Sequence, residues 1–194
     1  MRRCDLIAMA VAAAVGFSAS YACAQEFTAK LSGFQELGAL NNQTGAILSN
    51  GTGTAKLDLD QKSQTVTYSL TYSNVGTTAP GTGTVTQAHI HFGKSRDSGG
   101  ILVFFCTNAV PSNGPAGTPK CPANGVTLTG TWTPASVVAI TGQNVVAGNF
   151  NALVDALLSN TAYANVHTSA FTAGEIRGQV HLAKEENEQH DHGN

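Results

Sequence analysis

The chain has 194 residues, of which 42% are hydrophobic and only 11% are charged, and its formal net charge is −2. This length is sufficient for one domain with its own hydrophobic core. The sparse and nearly balanced charge gives no basic footprint for nucleic acid or for an anionic membrane surface, so the composition excludes both as partners.

The N-terminus has the pattern of an export signal. Arg2 and Arg3 form a positively charged start, the stretch Leu6–Phe17 is apolar, and Ala22-Cys23-Ala24 is a cleavage site of small residues. The apolar stretch is too short to cross a bilayer, which takes about 20 residues. We therefore predict a signal peptide over residues 1–24, no transmembrane segment after its removal, and a secreted protein of the periplasm or the extracellular space.

Two cysteines, Cys106 and Cys121, remain after removal of the predicted signal peptide. Cysteines of exported proteins usually pair, because the compartment they reach is oxidising. The residues between them are rich in Pro, Gly, Asn and Ser, and closing such a loop contributes about 3 kcal/mol in the chain-entropy model. We predict a Cys106–Cys121 disulfide. The alternative, two thiolate metal ligands, is weaker because no histidine lies near them in the sequence.

Short runs rich in Val, Thr, Ile and aromatic residues alternate with clusters of Gly, Asn, Ser and Pro, which is typical of β-strands separated by turns. Period-two alternation is clearest in two neighbouring runs, which predict a hairpin with one apolar and one polar face. In the first of them the apolar face is Ala55, Leu57 and Leu59. The predicted strands are Glu26–Leu31, Gly53–Leu59, Thr65–Ser73, Ala88–Phe92, Ile101–Cys106, Val126–Trp132, Ala162–His167 and Glu175–Leu182.

One segment departs from strand periodicity: residues 149–158 carry apolar side chains at helical spacing, with Asn149 as the N-cap. Thr133-Pro134-Ala135-Ser136 predicts a second short helical turn, with Pro at its first position. The expected fold class is all-β, an antiparallel Greek-key sandwich or barrel of about eight strands with one or two short helices in a connection. We expect this β domain over residues 25–183, followed by a disordered tail of acidic residues and histidines over 184–194.

Three histidines on predicted strands are the candidate functional residues. His89 and His91 stand at positions i and i+2, so strand geometry turns both imidazoles to one face. His167, late in the chain, is the candidate third metal ligand, and His181 is a weaker candidate for a fourth. Imidazole nitrogens favour copper or zinc over magnesium or calcium, which prefer oxygen. The alternative is an ordinary histidine pair on the solvent-exposed face of a half-buried strand.

The residues around these histidines resemble the CHRD domain family, which is named after chordin and is found widely in exported bacterial proteins. The resemblance rests on AHIHFG at 88–93, on the Gly-Gly-Ile-Leu-Val-Phe strand that follows, and on AYANVHTSAFTAGEIRGQV at 162–180. It covers most of the chain after the predicted signal peptide. It implies an exported domain, and in chordin such domains belong to an extracellular protein that binds growth factors.

A weaker resemblance links the same residues to the copper site of copper/zinc superoxide dismutase, which lies on a Greek-key β-barrel. In that enzyme a His-x-His pair on a strand and a later histidine bind copper, and an arginine shortly after them faces the substrate anion. By this resemblance His89, His91 and His167 correspond to copper ligands and Arg177 to an anion contact. The bridging histidine and the zinc-binding loop have no counterpart here. The resemblance therefore implies a mononuclear copper site, with zinc as the less favoured metal, and it leaves enzymatic activity open.

Arg177 also has a purely structural interpretation, as a solvated or ion-paired neighbour of Glu175 on the outer face of the last strand. Two functions follow from the sequence as a whole. The first is an exported CHRD-domain protein with a mononuclear, histidine-coordinated copper site, which serves metal binding, delivery or redox protection. The alternative is a non-enzymatic interaction module of the envelope or the extracellular space, with a protein as its partner.

Overall fold

The structure is a computed structural model that describes residues 2–3, 24–37, 45–77 and 83–183. Most of the predicted signal peptide and the whole of the predicted tail lie outside these ranges, so both stay predictions. The described chain is built mainly from β-strands. The strands are β1 (Arg2–Arg3), β2 (Ala24–Ser32), β3 (Thr52–Asp60), β4 (Thr65–Ser73), β5 (Val85–Phe92), β6 (Gly100–Thr107), β7 (Leu128–Trp132), β8 (Ala162–Thr168), β9 (Ile176–Gln179) and β10 (His181–Leu182).

The strands of the described residues form one antiparallel sheet that nearly closes into a barrel. Its order is β6-β5-β8-β9-β2-β3-β4-β7, and the short strands β1 and β10 attach to β2. The end strands β6 and β7 meet across the remaining seam, where Trp132 Nε1–H donates to the Phe104 carbonyl oxygen over 2.7 Å. The Tyr68 hydroxyl donates to the Phe105 carbonyl oxygen over 3.3 Å. The expected all-β fold is confirmed, and of the two architectures it is the barrel.

The interior of the barrel is filled by the apolar face of each strand. In the β3–β4 hairpin Ala55, Leu57 and Leu59 are at most 1% exposed, while Lys56 and Asp58 face solvent. Burying a leucine-sized side chain contributes about 1.5–3 kcal/mol. A slip of one residue would turn these side chains out of the core, so the alternation fixes the register of the hairpin.

The connection between β7 and β8 carries the α-helix of the described residues and two of their three 3-10 turns. Helix α1 (Phe150–Leu158) begins after Asn149, whose side chain accepts the backbone N–H of Ala152, which confirms the predicted cap. The backbone N–H of Val138 donates to the Leu102 carbonyl oxygen, so this connection also covers the free edge of β6. Three 3-10 turns lie at Gly33–Gln35, Pro134–Ser136 and Thr141–Gln143. The second of them confirms the turn predicted at the proline.

The predicted disulfide is present and joins Cys106 at the end of β6 to Cys121, with their Cα atoms 4.9 Å apart. Several strand predictions were wrong at their ends, and β5 begins at Val85 rather than at Ala88. The last predicted strand is divided into β9 and β10, because the Val180 N–H bonds to β8 while the next two residues pair with β2. Strand β7 starts later than predicted, because the Val126 N–H closes a turn onto the Ala123 carbonyl oxygen.

Candidate metal centre

Three histidines converge on the face of the sheet turned away from the barrel interior. Side chains alternate along β5, so Ile90 fills the core while His89 and His91 point outward. Strand β8 runs antiparallel to β5, in a register that places His167 diagonally across from His89. One potential ligand nitrogen from each ring lies within 4.8 Å of the others. The structure therefore brings the three predicted ligands together.

The three rings are buried although they lie outside the barrel. His89 is 0% exposed, His167 is 7% exposed and His91 is 9% exposed. Every residue of β8 is buried, because connecting loops cover the outer face of this strand while the core covers the inner face. The alternative of a histidine pair on a solvent-exposed strand face is therefore wrong.

Two aromatic rings pack against the histidines. Phe104 contacts His89 at 4.4 Å between ring centroids, with the two planes nearly perpendicular. Tyr163 stacks on His91 in a nearly parallel arrangement at 4.8 Å. These rings give the cluster walls of low polarity and help to keep water away from the imidazoles.

Hydrogen bonds determine which nitrogens carry protons. Nδ1 of His91 lies 2.9 Å from the Gly99 carbonyl oxygen, and Nδ1 of His167 lies 3.0 Å from the Thr172 carbonyl oxygen. A carbonyl oxygen only accepts, so in neutral rings both Nδ1 atoms donate and both Nε2 atoms keep a lone pair. Nδ1 of His89 lies 3.2 Å from Nε2 of His167, and we assign it as the donor of that hydrogen bond.

Two of the histidine nitrogens have no partner. Nε2 of His89 and Nε2 of His91 are buried without a hydrogen bond, and within the described ranges only Oε1 of Gln179 shares that condition. An unpaired buried polar atom costs about 1–3 kcal/mol. The third ring, His167, presents its Nε2, which accepts the hydrogen bond from Nδ1 of His89 over 3.2 Å.

Burial keeps the three imidazoles neutral. Loss of solvation lowers the pKa of His89 to about 2, with further contributions from His167 and His91. Loss of solvation also lowers the pKa of His91 to about 4, although its hydrogen bond to Gly99 acts in the opposite direction. The pKa of His167 is lowered by the same cause. Neutral imidazole is the form that binds metals, so the site is in its binding form at neutral pH.

Arg177 holds a loop, residues 93–99, against this face of the sheet. Its Nη2 donates to the carbonyl oxygens of Lys94 and Asp97, each at 2.9 Å. Its guanidinium carbon lies 3.4 Å from the centroid of the Tyr163 ring, in a cation–π contact. These contacts go to the loop and to the tyrosine rather than to the histidines, so the anion contact expected from the sequence stays a prediction.

The loop ends at Gly99, whose backbone N–H and carbonyl group are both hydrogen bonded. The Gly99 N–H donates to the Tyr163 hydroxyl over 3.2 Å, and its carbonyl oxygen accepts from His91. A Cβ atom at this position would lie 1.7 Å from the Phe92 carbonyl oxygen, so only glycine fits. Arg177 and Tyr163 therefore position the carbonyl group that orients the ring of His91.

Glu175 and Arg177 do not form the solvated pair that was one interpretation of the sequence. Glu175 is 0% exposed and Arg177 is 3% exposed. The Glu175 carboxylate accepts hydrogen bonds from the Ser49 hydroxyl at 2.7 Å and from the Gly76 N–H at 2.9 Å. Each of the two charged side chains therefore fixes a different connection of the barrel.

Two other sequence expectations changed. His181 does not belong to the group of potential ligands, because the change of partner after β9 places it on β10, where it is exposed and pairs with Thr28. The contribution of Tyr163 was missed, although it shares a strand face with His167 by alternation. The contributions of Gly99 and Thr172 come from their backbone carbonyl groups, so no side-chain pattern could have revealed them.

Comparison with known proteins identifies the family. No curated protein sequence matches the chain. The model of the CHRD domain matches residues 27–180, which is well over half of the chain. This range contains the three histidines, Arg177 and the disulfide. The chain therefore belongs to the CHRD domain family.

Proposed function

We propose that this CHRD protein binds one copper ion through His89, His91 and His167, and that it serves copper binding, delivery or redox protection outside the cytoplasm. The observation that carries the proposal is the convergence of three buried imidazoles, two of which have a nitrogen with no hydrogen-bond partner. An ion that accepts these lone pairs removes the cost of leaving them unpaired. Two ligands come from one strand and the third from its neighbour, so little rearrangement is needed.

The chemistry of the donors supports copper. Imidazole suits copper and zinc, whereas magnesium and calcium require oxygen donors. Structural zinc sites almost always have four protein ligands, and the group of described residues that could hold an ion has three. Copper(II) also binds a given set of nitrogen donors more strongly than zinc does.

The proposed location outside the cytoplasm has two supports. The Cys106–Cys121 disulfide is the kind of bond that persists in oxidising compartments. Membership of the CHRD family agrees with an extracellular or periplasmic domain. Among the described residues no helix has the length and apolar character needed to cross a membrane.

Metal loading of the purified chain tests the proposal. His190 and His192 in the tail are first replaced by Gln, so that they do not scavenge copper. We expect this protein to retain one copper ion through desalting, and His91→Ala and His167→Ala to lose it while their circular dichroism stays that of the parent. The matched control is His181→Gln, which removes an exposed histidine and should retain the ion. Copper retention that survives both alanine substitutions would contradict the proposal.

A second candidate function, an interaction module of the envelope or extracellular space, is favoured by exposed apolar side chains. Phe34 is 68% exposed and Leu48 is 81% exposed. The segments that carry them are joined by a hydrogen bond of 2.8 Å from the Ile47 N–H to the Gly33 carbonyl oxygen. Contiguous exposed apolar surface marks contact sites in many proteins, and the pairing of the two segments brings their exposed side chains to one region of the surface. Replacing Phe34 and Leu48 by Ser should abolish capture of a partner from envelope extract and leave copper binding unchanged.

A further inference from the structure

The three imidazoles bring no negative charge to a bound ion. The group of described residues that could hold a metal contains no carboxylate and no thiolate. The buried carboxylate of Glu36 is hydrogen bonded to the side chain of Asn165 and is not part of the group. The guanidinium of Arg177 lies 3.4 Å from the centroid of the Tyr163 ring, and that ring stacks on His91. A positively charged side chain therefore lies one ring away from a proposed ligand, whereas no anionic side chain belongs to the ligand group.

Access of water to the donor nitrogens is also restricted. Nε2 of His89 and Nε2 of His91 are both buried, and the rings of Phe104 and Tyr163 pack against these two histidines. The cost of taking an ion out of water rises with the square of its charge, so a divalent ion costs about four times as much as a monovalent one. Three neutral imidazoles offset less of that difference than carboxylate or thiolate ligands would.

From these observations we infer that the site selects copper(I) over copper(II) and zinc(II). The inference rests on the proposed copper site and specifies the oxidation state of its ion. Copper(I) is a monovalent d10 ion that is stable with three nitrogen donors. It requires neither an anionic ligand nor a bound water. A divalent ion at this position requires a fourth ligand, which the group lacks and which the covering loop and aromatic rings obstruct.

The test compares the affinities of one protein for three ions. The chain from Gln25 onwards, without the predicted signal peptide and its two cysteines and with His190→Gln and His192→Gln, is titrated anaerobically with copper(I) in ascorbate, in competition with the chromophoric chelator bicinchoninate. Copper(II) is titrated against glycine and zinc(II) against a chromophoric zinc chelator. We expect one copper(I) ion to bind per protein. Its dissociation constant should be roughly 100-fold lower than that of the zinc(II) complex, because groups around the ligands alter metal affinity by up to about that factor. Copper(II) should also bind more weakly than copper(I).

The outcomes separate this inference from the proposed function. Binding of copper(II) or zinc(II) as tight as that of copper(I), and lost in His167→Ala, overturns the inference and leaves a metal site in place. If no ion binds, or if binding is the same in His167→Ala as in the parent, the proposed metal site itself is contradicted. The His181→Gln variant is the control for loss of a histidine outside the group, and its three affinities should equal those of the parent.

Substitutions at Arg177 separate the effect of its charge from its role in holding the loop. Arg177→Gln and Arg177→Lys both remove the guanidinium that holds Lys94 and Asp97, but lysine keeps the positive charge. Loss of the loop contacts displaces His91 in both variants and weakens the binding of every ion. The ratio of the copper(I) affinity to the zinc(II) affinity cancels this common loss and therefore reports the effect of the charge. We expect this ratio to fall roughly tenfold in Arg177→Gln and to stay near the parent value in Arg177→Lys. An unchanged ratio in Arg177→Gln overturns the electrostatic basis of the inference.

Discussion

Mild acid should destabilise the metal-free protein. Burial lowers the pKa of His89 to about 2 and the pKa of His91 to about 4, whereas both start from a value of 6.5. Between pH 6.5 and pH 4 the unfolded chain therefore binds two protons that the folded chain does not bind. The stability from these residues is complete above pH 6.5 and is lost as the pH falls. The loss ends near pH 4 for His91 and near pH 2 for His89.

The size of the effect follows from the difference between pH 5 and the pKa of a histidine in the unfolded chain. That difference is about 1.5 pH units, and each unit corresponds to about 1.4 kcal/mol for each group. Between pH 7.5 and pH 5 each of the two histidines therefore lowers the free energy of unfolding by about 2 kcal/mol, and together they lower it by about 4 kcal/mol. His167, whose pKa is also lowered, acts in the same direction. Since a domain is typically stable by about 5–15 kcal/mol, the loss is a large fraction of the total.

Urea unfolding in the presence of EDTA, followed by tryptophan fluorescence, measures this loss. Trp132 is the only tryptophan and is 3% exposed, so its emission reports unfolding of the barrel. His91→Gln removes one titrating group and keeps a polar side chain, so its loss between pH 7.5 and pH 5 should be about 2 kcal/mol smaller than in the parent. The exposed His181→Gln should show the loss of the parent. The same pH dependence in His91→Gln and the parent would refute the reasoning.

Three further predictions concern single contacts. Tyr163→Phe removes the hydroxyl that accepts the Gly99 N–H; copper affinity should fall roughly tenfold in chelator competition, with circular dichroism unchanged. Replacing Cys106 and Cys121 by Ala should lower the free energy of unfolding in urea by about 3 kcal/mol and leave copper stoichiometry unchanged. Leu57→Ala in the barrel core should cost about 2–5 kcal/mol in the same measurement, and a smaller loss would mean that the core closes around the cavity.

Strand positions can be predicted where one face is apolar and the other is polar. Strand β4 has the bounds predicted from its alternation, Thr65–Ser73, and the hairpin with β3 follows from the short turn between them. The order of the sheet could not be predicted. Strand β5 pairs with β8 across two intervening strands and α1, and nothing in either sequence specifies its partner. The division of the last strand also depends on a distant partner, because β10 forms only where β2 is available.

The candidate site could be predicted as far as strand geometry determines it. His89 and His91 share a face by their spacing alone, and the β5–β8 register then brings His167 to them. The contacts of Arg177 with the loop were not predicted. In this register Arg177 lies opposite Asn165, and Asn165 lies opposite His89, so the arginine is two strands away from β5, and its guanidinium holds the loop. Loop contacts of this kind leave no periodic signal in the sequence.

The outer layer on β5, β8 and β9 argues for a functional site rather than a packing surface. On their inner face these strands carry apolar side chains such as Ile90 and Val166, which fill the barrel without unpaired polar atoms. On their outer face the side chains are almost as deeply buried, but they include three imidazoles and a guanidinium. An apolar layer would bury the same area without two unpaired nitrogens, each of which costs about 1–3 kcal/mol. Proteins depart from local packing rules mainly at functional sites. The metal ion that we propose at His89, His91 and His167 would accept the lone pairs of the unpaired nitrogens, whereas packing alone gives no reason for them.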